Sequence, residues 1–447
     1  MISSGPTRLR VAFATLLCGM LMPLAAVSAG AADVPTGADS ALDDAPVVPG
    51  DGWFVDETKL PFTPLESTAA AQHWGVLNGA GYHIEVPDNW NGELVMWAHG
   101  FRGYDKELTV TDPRFRRYLI EHGYAWAASS YRANSYVPSL GEQDTFDLSK
   151  FFADTIGTPR RIFITGESMG GHVTGLAVQK RPNYYAGAMP VCGVMGDREL
   201  FDYFTDVLLG VQAITGITAD FPPPENWLSD IVPQLAWVLA NDPARLGDFT
   251  NFVMLRSGGV RPYFPLSLAQ WTGFLLALAQ PDPAAPAFDA SNENTVYQLD
   301  TDPALSADEQ MLNAVIARVN RLDFPLPPAG LADVPEITGE LSMPVLTMHT
   351  LGDLFVPFSM EQLYAQRAAA HGNSGLLVQR AIRDIGHCAF SEGELNQAFG
   401  DLARWVHEGV RPAGDDVLTP SVVAAPNYGC RFTIDERSFV PPCTAAA

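Results

Sequence analysis

From about Asp51 onward, short apolar runs alternate with longer stretches of mixed polarity. Gly81-Tyr82-His83-Ile84-Glu85-Val86-Pro87 alternates apolar and polar positions, the pattern of a strand with one exposed face. Asn89-Trp90-Asn91-Gly92 reads as a turn. Four further runs are almost wholly apolar and read as buried strands: Glu93 to His99, Tyr124 to Ser129, Arg161 to Thr165 and Ala186 to Cys192. Helical spacing fills the intervals near 112–122, 144–156 and 169–180. Strands alternating with helices predict a mostly parallel sheet covered on both faces.

The alternation stops after Cys192 and resumes with a strand at Pro344 to His349 and a helix near 359–371. A strand at Leu376 to Ile382 and a closing helix near 392–408 follow. Between lie apolar helical runs (Phe201 to Leu209, Ile231 to Leu239, Trp271 to Ala279) broken by Pro222-Pro223-Pro224 and Pro281 to Pro286. The interrupted strand pattern must close around this segment, so 197–340 is predicted to be a large, mainly helical cap inserted into one core domain. The core then comprises 51–196 and 341–410, with a C-terminal tail over 411–447. No internal repeat is visible.

The first residues follow a different pattern. Arg8 and Arg10 precede an apolar run from Val11 to Val27, which ends in Ser28-Ala29-Gly30-Ala31-Ala32. Residues 1–32 therefore read as a secretory signal peptide. A membrane anchor fits less well, because Gly19 and Pro23 interrupt the run, and a lipid anchor at Cys18 lacks a small residue at Leu17. Residues 33–50, rich in Ala, Asp, Pro and Gly, are expected to be a disordered leader. No later run is long and apolar enough to predict a membrane span. The chain is thus expected to be secreted or periplasmic, without stable membrane insertion.

Export changes the reading of the cysteines. Without Cys18 there remain Cys192, Cys388, Cys430 and Cys443, an even set that suits two disulfides in an oxidising compartment. Three pairings are open. Cys430 and Cys443 enclose a short loop and are expected to pair, leaving Cys192 with Cys388; buried free thiols are the alternative. Of 447 residues 47% are hydrophobic and 17% charged, enough for a sizeable core. The net charge of -24 excludes the basic footprint that nucleic-acid binding requires and suits solubility outside the cell.

The most specific chemistry lies in Gly166-Glu167-Ser168-Met169-Gly170, between the run Arg161 to Thr165 and the helical stretch from Gly171 to Lys180. G-x-S-x-G between a strand and a helix is a nucleophile elbow. Further along are Gly352-Asp353-Leu354-Phe355-Val356-Pro357 and Gly386-His387-Cys388, each at the end of a predicted strand. With these motifs the chain resembles the α/β-hydrolase superfamily over about 75–195 and 343–408, in particular its serine esterases and lipases. The resemblance implies a triad of Ser168, Asp353 and His387, met in the family's chain order.

It also implies an oxyanion hole made by the backbone N–H groups of Met169 and of Phe101, in His99-Gly100-Phe101-Arg102-Gly103. His99 is expected to hold that loop, His172 to pack, Arg132 to form a structural ion pair, and Asp384 to lie too near His387 for the acid. Cys388 after the histidine resembles tannases and feruloyl esterases, which place its partner directly before the serine. Glu167 stands there instead, so Cys192 is the substitute partner. No His or Cys spacing predicts a metal, and no cofactor is expected.

A serine esterase for a small-molecule or polymeric ester follows from the resemblance. A secreted aminopeptidase or prolyl-peptidase-like enzyme is the alternative, and a non-catalytic binding protein on the same fold a further one. Cap aromatics (Phe204, Trp227, Trp237, Phe252, Tyr263, Phe264, Trp271, Phe274) suit an apolar or aryl pocket, although most are expected to form the cap's own core. Oligomeric state is not legible.

Overall fold

The computed structural model describes residues 52–277, 290–320 and 334–443. The signal peptide, the leader, the Pro281 to Pro286 break and the last residues of the run ending at Ala279 lie outside the described residues. No helix among those described is long and apolar enough to cross a membrane.

An eight-stranded sheet carries the molecule. In chain order its strands are β2 (Ala70–Leu77), β3 (Ala80–Pro87), β4 (Glu93–Ala98), β6 (Ala125–Ser129), β7 (Arg161–Glu167), β8 (Gly187–Val191), β9 (Val345–Thr350) and β10 (Leu377–Ile382). Two-residue strands β1 (Phe54–Val55) and β5 (Glu107–Leu108) pair separately. The spatial order is β10-β9-β8-β7-β4-β6-β3-β2. From β10 to β6 every neighbour is parallel, while β3 runs antiparallel to β2 and β6. Helices α1 (Arg116–Glu121), α2 (Pro138–Thr155) and α3 (Met169–Lys180) connect the central strands. With α9 (Ser359–Ala370) and α10 (Glu392–Glu408) after β9 and β10, this is the α/β-hydrolase fold.

The cap helices are α4 (Glu199–Thr215), α5 (Val232–Asn241), α6 (Pro243–Arg256), α7 (Phe264–Ala277) and α8 (Ala307–Val315). They are inserted between β8 and β9, strands adjacent in the sheet, so the chain leaves and returns at one place. Among the described residues the cap has no separate core. Its buried residues, among them Phe204, Trp227, Phe252 and Phe264, join one cluster with Ala98, Met169, Val173, Leu354 and Val356 of the sheet domain.

The 81–87 strand departs from expectation. It was expected to expose its polar face, yet His83 and Glu85 are buried. β2 supplies the edge beyond it, and the polar face is filled by polar partners: Arg116 pairs with Glu85, Trp126 Nε1 donates to Glu85 at 2.8 Å, and His83 Nδ1 lies 2.8 Å from Asp112. At the opposite edge the tail covers β10. Asp415 N–H donates to Gln379 O, and Ala381 N–H donates to the Asp415 carboxylate. Those groups would otherwise be an open template for another strand.

Candidate active site

β7 delivers Ser168 to the mouth of the sheet. Ser168 has φ 60° and ψ -120°, a conformation that L residues enter only under constraint. The constraint is close packing at the two elbow glycines. A Cβ on Gly170 would stand 2.0 Å from Ala98 O, and one on Gly166 would stand 2.3 Å from Gly170 O. The Ser168 N–H donates to Val191 O, and its carbonyl accepts from Gly171 N–H at the head of α3. The hydroxyl is thus held out of the backbone's own hydrogen bonding.

The structure brings Ser168, His387 and Asp353 together. His387 Nε2 lies 2.8 Å from Ser168 Oγ, and His387 Nδ1 lies 2.5 Å from Asp353 Oδ2. Asp353 is fully buried in the turn after β9, and its other oxygen accepts the Phe355 and Val356 N–H groups at 2.9 and 3.0 Å. Those bonds fix the carboxylate plane, so Nδ1 keeps its proton and Nε2 presents a lone pair to the serine hydroxyl. Ser168 and His387 remain partly open to solvent. Among the described residues no backbone hydrogen bond takes the N–H of Met169 or Phe101. Met169, as the first residue of α3, has no partner inside the helix.

The remaining candidates separate. His99 stacks on Tyr131 at 3.9 Å and spans the Gly100 and Ser130 carbonyls, holding the loop that carries Phe101. Burial, helped by Arg102, lowers its pKa to about 4. His172 is buried between the Tyr136 hydroxyl and Pro335 O, and burial likewise lowers it to about 4. Arg132 pairs with Asp144, and Asp384 pairs with Arg437 at 2.9 Å, facing the tail.

Cys192 and Cys388 are bridged, with Cα atoms 5.3 Å apart, and Cys430 and Cys443 form the second disulfide. The first bridge ties the histidine loop to the end of β8. The His/Cys cluster at Cys192, His387 and Cys388 does not suit a metal, because its two sulfurs are bonded to each other.

Two residues at the site escaped the sequence reading. Arg114 donates to Cys388 O at 2.6 Å and to Phe390 O, and lies 3.6 Å from Glu167 beside the nucleophile. Phe355 packs its ring 4.9 Å from that of His387 and 4.7 Å from Phe274. Its position two residues after Asp353 was the one available signal. Of the cap aromatics, Phe204, Trp271 and Phe274 reach this cluster, and Trp271 Nε1 donates to Ile385 O at 2.6 Å. Trp237 instead points to solvent, at 67% exposure.

Comparison with known proteins gives likenesses that cover most of the chain at low identity. A family profile described as the prolyl oligopeptidase family matches residues 120–227, which include the elbow. An o-phthalyl amidase of Xanthobacter agilis is 21% identical over 417 residues, covering 79% of this chain and 90% of that protein. Among solved structures, feruloyl esterase B from Aspergillus oryzae is 15% identical with a TM-score of 0.46, covering 81% of this chain and 86% of its own. The acylaminoacyl peptidase of Pyrococcus horikoshii is 11% identical with a TM-score of 0.39, covering 79% of this chain and 44% of its own.

Proposed function

We propose that this protein is an exported serine hydrolase that cleaves carboxylic esters through an acyl-enzyme, with an apolar or aryl group beside the scissile bond. The observation that carries the reading is the continuous hydrogen-bonded chain from Ser168 Oγ through His387 to a buried Asp353. Ser168 Oγ attacks the ester carbonyl carbon while its proton passes to His387 Nε2. Asp353 stabilises the imidazolium. The carbonyl oxygen becomes an oxyanion facing the N–H groups of Met169 and Phe101. Collapse expels the alcohol, which takes the proton from His387, and water activated by the same ring releases the acid. Phe355, Phe274 and Trp271 supply an aromatic wall next to His387. The signal-peptide pattern and two disulfides support an oxidising compartment.

Amide cleavage is the second reading. It is favoured by the likeness to an amidase along most of the chain and by the peptidase-family match at the elbow. The chemistry differs only in the leaving group, an amine that must be protonated as it departs. Turnover of p-nitrophenyl esters against aminoacyl and aroyl anilides separates the two. Hydrolysis of anilides alone would overturn the ester reading. Failure of an organophosphonate to label Ser168, with no turnover of either class, would leave a binding protein on a hydrolase fold.

A further inference from the structure

Next to Asp353 lies a second histidine–carboxylate pair that the hydrolytic step does not use. His349 stands near the end of β9 and Glu361 in the first turn of α9, with 0% and 1% exposure. Each nitrogen of the His349 ring faces an acceptor: Nε2 is 2.7 Å from Val356 O, and Nδ1 is 3.4 Å from Glu361 Oε1. A carbonyl oxygen only accepts, so Nε2 carries a proton. Glu361 Oε2 accepts from the Thr347 hydroxyl and the Gln379 amide, which fixes the carboxylate with its other oxygen toward His349. That carboxylate in turn favours a second proton on Nδ1. Burial alone pushes the imidazole down, but Glu361, with Asp353 and the Val356 carbonyl, outweighs it and raises its pKa. His349 Nε2 also lies 4.0 Å from Asp353 Oδ2, the oxygen that faces His387.

We propose that His349 and Glu361 are positioning residues for the triad: their buried ion pair holds a positive charge against Asp353, keeps the acid ionised and restrains the basicity of His387. The inference rests on the triad reading above and adds to it. Asp353 has no solvent, so its charge is balanced by the Phe355 and Val356 N–H groups, by His387 and by this pair. Val356 ties the groups together, because its N–H donates to Asp353 and its carbonyl accepts from His349. The other charge facing Asp353 is Arg261, which donates to Leu351 O; burial lowers its pKa to about 10, so it stays a cation at neutral pH. Tyr203, near Asp353, and Tyr364 and Tyr428, near Glu361, are all pushed up by burial and remain neutral.

The sign of the effect follows from charge. A cation near His387 disfavours the imidazolium formed in the reaction, so removing that cation should move the acid limb of the rate profile upward. The test is the pH profile of kcat/KM on a p-nitrophenyl ester for the unaltered protein, His349→Gln and Glu361→Gln. The acid limb is expected to move up by about half a pH unit or more in both variants. A lower plateau with an unmoved limb would mean a purely structural role and overturn the proposal.

Histidine-ring NMR of the Ser168→Ala protein gives a reading that needs neither activity nor a folded His349 variant. One buried ring should titrate above the range of a free imidazole and lose that elevation when Glu361→Gln is added. If no ring responds to Glu361→Gln, the proposal fails. Absence of both turnover and phosphonate labelling in the unaltered protein would instead sink the triad reading itself, and this inference with it.

Discussion

The elbow that carries Ser168 and the loop that carries His387 meet at one hydrogen bond, yet they are held by opposite means. The elbow is constrained by close backbone packing: β7 feeds it, α3 leaves it, and its two glycines pack against each other and against Ala98 of the adjacent β4, where no Cβ fits. The histidine loop, from Arg383 to Ser391, is held from afar. Cys192 bridges it, Arg114 takes two of its carbonyls, Trp271 takes a third and Thr350 a fourth. From the tail, Thr433 accepts the Arg383 N–H and Arg437 donates to Ala389 O. The Ser391–Glu394 capping box then fixes the start of α10. The nucleophile's place is therefore set by a short turn packed on the strands beside it, whereas the base's place is a product of side chains reaching in from many parts of the chain.

This contrast can be tested by substitution. Ser168→Ala should lower kcat by about 10³-fold or more with an unchanged thermal midpoint. Appreciable residual turnover would move the nucleophile elsewhere. Gly170→Ala forces a Cβ onto the Ala98 carbonyl and should abolish activity together with much of the folded yield, read by soluble expression and unfolding. Arg114→Ala should leave the elbow's backbone packing intact and lower kcat/KM by roughly 10- to 100-fold at nearly native stability, because it frees the histidine loop and removes only a partly exposed ion pair to Glu167. Wild-type kinetics in that variant would remove the case for long-range placement of His387.

The disulfides give a smaller and more selective effect. Cys192–Cys388 closes a separation of 196 residues and Cys430–Cys443 one of 13. In the chain-entropy account these contribute about 5 and about 3 kcal/mol. Replacing the first pair by serine should cost both stability and activity, and replacing the second should cost stability alone. Equal loss of activity from both would blur the distinction between the histidine loop and the tail.

The smallest effect expected is on pH dependence. His99 and His172 have folded pKa values of about 4, below the 6.5 of a free imidazole, so between those values the unfolded chain binds more protons. Their stabilisation is complete above pH 6.5 and is lost as pH falls toward 4. His349 has the opposite sign, since its raised pKa adds stability that is lost as pH rises through the folded value. The unfolding midpoint should drop from pH 7 to pH 5, and His172→Gln should reduce that drop. An equal drop in the variant would mean that His172 is not held neutral.

Much of the scaffold could be read from the chain. The seven predicted strands all occur: six show themselves as consecutive apolar residues, as fully buried strands do, and 81–87 as an alternation. β2 was missed, since Ala70–Leu77 carries Gln72, His73 and Gly75 and looks like loop. The cap helices α6 and α8 were missed for a related reason: both mix charged and apolar residues, with too few consecutive turns to declare a face. In α2 the helix starts earlier than its apolar pattern, at Pro138, whose fixed φ suits a first turn.

By itself the sequence determined the alternating scaffold, the insertion point of the cap and the elbow at Ser168. Each of these depends on neighbouring residues, through periodicity and through the room that glycine leaves. The tertiary structure alone decided that β3 buries its polar face around Arg116, that Arg114 clamps the histidine loop, and that Phe355 meets three cap aromatics beside the site. It also decided that His349 sits against Asp353. These are meetings between groups distant along the chain, or between side chains whose direction depends on packing. A residue's type states what it can bond, and only the folded chain selects which of many possible partners comes within reach.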